Sequence, residues 1–82
     1  EALELVAHGD ERSSQVVGKR IEEIDLPKGT TIGAIVRGEN EQVIIAHHDT
    51  VIEANDHVIV FVINKRMVPR VEKLFQVEAR FF

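Results

Sequence analysis

His57-Val58-Ile59-Val60-Phe61-Val62-Ile63 is apolar on both faces of the strand it encodes. Successive side chains of a strand point to opposite sides, so Val58, Val60 and Val62 share one face and Ile59, Phe61 and Ile63 the other. A small antiparallel sheet normally buries one face and wets the other. A chain of 82 residues has few elements with which to cover two. A second copy of the chain is the simplest cover, with Ile59, Phe61 and Ile44 as candidate interface residues. The run therefore points toward assembly or regulation rather than chemistry.

Length and composition agree. The 82 residues form a single domain, 1–82, with an ordinary 44% apolar and 29% charged content. Fourteen acidic against ten basic residues leave a formal charge of −4, which argues against a nucleic-acid partner. The absence of cysteine excludes disulfides and thiolate metal sites and fits a reducing cytosol. No apolar run reaches the roughly 18 residues of a membrane span, and no signal peptide is visible. Opening on Glu1 rather than Met, the chain is expected to be a fragment of a longer one.

Moving outward from residue 57, Glu53-Ala54-Asn55-Asp56 is a turn in which Asn55 is the residue best suited to a left-handed backbone. Thr50-Val51-Ile52 before it reads as a short strand. Thr31–Arg37 and Val43–Ala46 form the arms of a hairpin with a polar tip at 38–41. Strict alternation puts Ile32, Ala34 and Val36 on one face of the first arm and Gly33, Ile35 and Arg37 on the other. Leu3 to His8 reads as the first strand. Val17, Ile21 and Ile24 recur at helical spacing and predict a short helix, weakened by Gly18 and ended by Leu26-Pro27-Lys28-Gly29. Met67, Val68, Val71, Leu74 and Phe75 predict a last helix, with Asn64 as a cap and Pro69 in its first turn. The fold class is α+β, in the order β-α-β-β-β-β-α, with helices on one side of a mostly antiparallel sheet.

An ordered set of short motifs resembles the TrkA C-terminal domain family, also called RCK C-terminal. It comprises Val17-Gly18-Lys19-Arg20-Ile21, Asp25-Leu26-Pro27-Lys28-Gly29, Ile32-Gly33-Ala34-Ile35-Val36-Arg37 and Val43-Ile44-Ile45-Ala46, followed by Asp49–Glu53 and Asp56–Phe61. The resemblance covers nearly the whole chain. Where the family often has Gly before the Asp of the last turn, this chain has Asn55, which holds the same geometry. The resemblance implies a non-catalytic regulatory domain of bacterial potassium uptake. It implies a homodimer or higher assembly that meets a membrane potassium channel subunit through the parent protein, at the cytoplasmic face of the plasma membrane. It places any NAD or ATP site in a neighbouring Rossmann domain of the parent chain, with no cofactor in this fragment. The alternative is a small-molecule sensor domain attached to another ion transporter. Some relatives bind cyclic diadenylate between two copies through apolar strand residues, an Arg and a His, and Ile35, Arg37 and His47 have suitable chemistry.

Read residue by residue, the remaining candidates are thin. The scattered glycines at 9, 18, 29, 33 and 38 form no G-x-G-x-x-G or P-loop pattern. His47 and His48 are adjacent and point apart on a strand, so they make a poor metal pair, and no metal site is expected. Ser13 and Ser14 lack triad partners and read as caps, so no catalytic residue is assigned. Arg37 is the polar residue that stands out, because its guanidinium suits a phosphate or carboxylate. An ordinary salt bridge to Glu39 or Glu41 at the hairpin tip is the competing reading.

Overall fold

A computed structural model describes residues 1–77 and 79–82. Its strands are β1 (Ala2–Val6), β2 (Thr30–Arg37), β3 (Gln42–Ile45), β4 (His57–Val62) and β5 (Arg80–Phe81). They form one sheet in the order β3-β2-β4-β1-β5, every pair antiparallel, so the two-faced apolar run lies at the centre. Directly paired residues share a face, and the register sorts the side chains. Leu3 faces Val60 and Leu5 faces Val58 on the inner side. Val58 and Val60 are completely buried there.

β2 carries a β-bulge. Ile32 pairs with Val60, and the next residue of β4, Ile59, pairs with Ala34, leaving Gly33 as the extra residue. Ile32 and Ile35 consequently both face inward and are both buried, which strict alternation does not allow. The bulge corrects the predicted faces of β2. Gly33 also has a packing role: a Cβ there would collide with Cε2 of Phe61, so the aromatic ring occupies the space a side chain would take.

One α-helix, α1 (Val68–Phe75), covers the inner face with Val68, Val71 and Phe75. Asn64 accepts a hydrogen bond from the Arg66 N–H at the start of the preceding 3-10 turn, Pro69 sits in the first turn of α1, and Gln76 ends the helix at φ 62°. Val16, Val17, Ile24 and Ile52 complete the core.

The predicted helix over 17–24 is replaced by turns and a single 3-10 turn, Ile21–Glu23. Gly18 takes φ +82°, outside helical geometry. The N–H groups a helix would use internally go to the 48–52 segment instead: Gly18 donates to Ile52, Ile21 to Thr50 and Glu22 to His48. That pairing reduces the expected Thr50–Ile52 strand to an isolated bridge between Val51 and Arg20. The fifth strand is β5, which adds Phe81 opposite Leu3. The α+β class and the antiparallel sheet stand, with one α-helix rather than two among the described residues. No helix is long and apolar enough to cross a membrane among the described residues.

Candidate functional site

Arg37 ends β2 on the inner side of the sheet, and all three nitrogens of its guanidinium are engaged. Nε donates to Oδ1 of Asp56 at 2.9 Å and Nη2 to Oδ2 at 2.7 Å, a bidentate pair. Nη2 also donates to the Val51 carbonyl at 2.9 Å, and Nη1 lies 2.9 Å from Glu53. Asp56 is 1% exposed and also accepts the Glu53 N–H at 2.8 Å. The hydrogen bonds to Asp56, then the charges of Asp56 and Glu53, raise the Arg37 pKa above its ordinary value against the opposing effect of burial. The expected partners Glu39 and Glu41 are not used. The turn at 51–56 folds under the end of β2 and presents its own carboxylates, while residues 39 and 41 stay exposed at the hairpin tip.

The same turn is stitched to the end of β1. Asn55, left-handed at φ 69° as expected, donates to Ala7, and Ala7 donates to Asp56. Arg37 thus clamps the 51–56 turn to β2 while Ala7 clamps it to β1. From sequence, Asp56 reads as a solvated carboxylate at a hairpin tip, and the structure instead buries it. Its signal was a carboxylate in the turn leading straight into a buried strand, a position that needs a partner.

The other candidates separate. Ile35 is fully buried and belongs to the core, so its side chain is not available to a ligand. His47 is exposed and lines a cleft of about 260 Å³ with Thr30, Ala46 and His48, while Arg37 lies outside it. Ile44 pairs with Ile35 and packs at the margin of the core. Ile59 and Phe61 lie on the outer face. That face is apolar across three strands: Ile45, Ala34 and Ile59 are paired in one row and Val43 and Val36 in the next. Phe61 is 51%, Val43 63% and Ile45 64% exposed. Glu4 interrupts the apolar surface, with His57 at 3.3 Å and Arg80 at 3.6 Å.

The serines serve the backbone. Ser14 Oγ accepts from Val16 and Val17, and Asp10 accepts from the N–H groups of Ser13 and Arg12, which lowers its pKa. No group of three or more His, Asp or Glu converges to hold a metal ion among the described residues.

A model of the TrkA-C domain matches residues 11–76. The chain belongs to the TrkA-C domain family. It is 61% identical over 82 residues to the Trk system potassium uptake protein TrkA of Halomonas elongata, covering 100% of this chain and 18% of that protein. It is 63% identical over 76 residues to TrkA of Vibrio alginolyticus, covering 93% of this chain and 16% of that one. The chain therefore spans less than a fifth of the length of these relatives. Among solved structures it is similar to the RCK_C domain dimer of S. agalactiae BusR in complex with c-di-AMP. The TM-score is 0.71 and the identity 26%, covering 93% of this chain and 97% of that one.

Proposed function

We propose that this TrkA-C domain is a non-catalytic regulatory and dimerisation domain of a bacterial potassium-uptake system, working within a longer cytoplasmic chain that controls a membrane transport subunit. The observation that carries the reading is the outer sheet face. Phe61, Val43 and Ile45 are exposed beside Ile59, Ala34 and Val36, a contiguous apolar surface of the kind that monomers rarely leave open. Two-fold pairing of identical chains is the commonest way to cover such a surface. The TrkA relatives supply the transport context and the BusR dimer a precedent for pairing. A nicotinamide or adenine nucleotide site, in this reading, belongs to a neighbouring Rossmann domain of the parent chain.

Sedimentation equilibrium of the domain tests the pairing. Wild type is expected to be dimeric and Phe61→Glu a folded monomer, whereas Val60→Glu on the buried face should unfold. The same Phe61→Glu change in the full-length chain should impair growth at limiting potassium. A wild-type domain that stays monomeric at high micromolar concentration would overturn the reading.

A second reading, small-ligand sensing, is favoured by the cyclic dinucleotide in the BusR structure. His47 is exposed and available for it, while Arg37 would have to release Glu53 or the Val51 carbonyl to meet a phosphate. Calorimetric titration with cyclic di-AMP distinguishes the two readings.

A further inference from the structure

On the helix side of the molecule, away from the open sheet face, a cleft of about 490 Å³ runs between the turn after the Ile21–Glu23 segment and the exposed flank of α1. Lys28 enters from the turn, and Arg70 and Lys73 from the helix. This convergence is uneven for a chain with a net charge of −4. Arg20, Arg37, Arg80 and Lys65 each pair with a carboxylate. Lys28, Arg70 and Lys73 have no ion pair among the described residues, although Asp25 borders the same cleft. Lys73 has a local reason to be where it is, since a cation in the last turn of a helix meets the negative end of its dipole. Lys28 and Arg70 have none.

We infer that this cleft binds a sugar phosphate free in solution, with the phosphate held between Lys28, Arg70 and Lys73. A guanidinium takes a phosphate through two parallel N–H donors, and an ammonium adds point charge. Leu26, Pro27 and Leu74 give the cleft an apolar wall against which a sugar or base can lie. Asp25 and Gln15 offer acceptors for hydroxyl groups. The volume falls within the roughly 300–1,000 Å³ of small-molecule sites. The carboxylate of Asp25 disfavours a bare phosphate ion and favours one that brings hydroxyl donors with it, which sets the class of ligand.

Amide-resolved NMR titration of the 82-residue chain with AMP, ribose 5-phosphate and inorganic phosphate, in about 150 mM salt to screen diffuse attraction, tests the site. The two organic phosphates should produce saturable shifts at Gln15, Leu26, Arg70 and Lys73, with inorganic phosphate weaker. Lys28→Gln and Arg70→Gln, both exposed changes that should preserve the fold, should each weaken binding at least about fivefold. Arg66→Gln, an exposed change outside the cleft, should leave it unaltered. Shifts that fail to saturate, inorganic phosphate binding as tightly as the esters, or equal weakening by Arg66→Gln would each overturn the proposal.

Discussion

Replacing Arg37 by alanine strips Asp56 of its bidentate partner and leaves that buried carboxylate with one backbone donor, the Glu53 N–H. Breaking one side of a buried ion pair costs about 3–5 kcal/mol, because the remaining charge is left in a poorly solvated site. The arm to Glu53, whose side chain is 61% exposed, adds only about 0–1 kcal/mol. Domains hold about 0.05–0.15 kcal/mol of stability per residue, so roughly 4–12 kcal/mol is available here. The substitution therefore removes a quarter or more of it, and Tm should fall by about 4–8 °C per kcal/mol lost. Urea unfolding at pH 7, followed by circular dichroism, measures the loss. A double-mutant cycle with Asp56→Asn, which keeps an acceptor for Glu53, should return a coupling of about 1.5–3 kcal/mol. If Arg37→Ala unfolds within about 0.5 kcal/mol of wild type, the clamp is not structural and the guanidinium is free for a ligand after all.

Acid should weaken the domain partly through Glu23. Its carboxylate accepts the Arg20 backbone N–H and pairs with the Arg20 side chain, and its pKa is held below the ordinary 4.5. A lowered folded pKa gives stability that is complete above the unfolded value and lost as pH falls through the folded one. Glu23→Gln should therefore lower stability at neutral pH and converge with wild type as pH falls below 4.5, as read by denaturant midpoints at several pH values. Removing the Asn64 cap with Asn64→Ala should cost about 1 kcal/mol in the same assay, with the loss seen first at the Arg66 amide, in the 3-10 turn Lys65–Met67 that leads into α1, by amide exchange.

Much of the architecture was legible because its signals are local and redundant. The last helix has a stripe and an early Pro69 that are used as expected, while Asn64 caps the 3-10 turn Lys65–Met67 ahead of it and not α1 itself. The central strand has no other plausible reading. The misread helix at 17–24 shows the limit: the apolar spacing was helical, but Val16 and Val17 are both buried, so neighbours on the chain share the core rather than a stripe. What decided that segment was hydrogen bonding to residues some thirty positions away, which periodicity does not carry. The two-residue β5 is too short for any pattern. At the candidate site, Arg37 was singled out with Glu39 or Glu41 as its competing salt-bridge partners, but the carboxylate it meets, Asp56, lies in a different turn. Ile32 was grouped with Ala34 and Val36 because alternation was assumed to continue through Gly33, whereas the bulge puts it on the face of Ile35.

That interruption has a consequence for how the strand can vary in length. On one side of the bulge Ile32 holds Val60, and on the other Ala34 holds Ile59. Excising Gly33 would let both halves keep the partners they have, and the alternation of inward and outward side chains would become regular. What would change is curvature, together with the hollow into which the Phe61 ring settles. Length at this one position is decoupled from register. A chain can lose a residue there and reshape its open surface while the buried pairs stay in place.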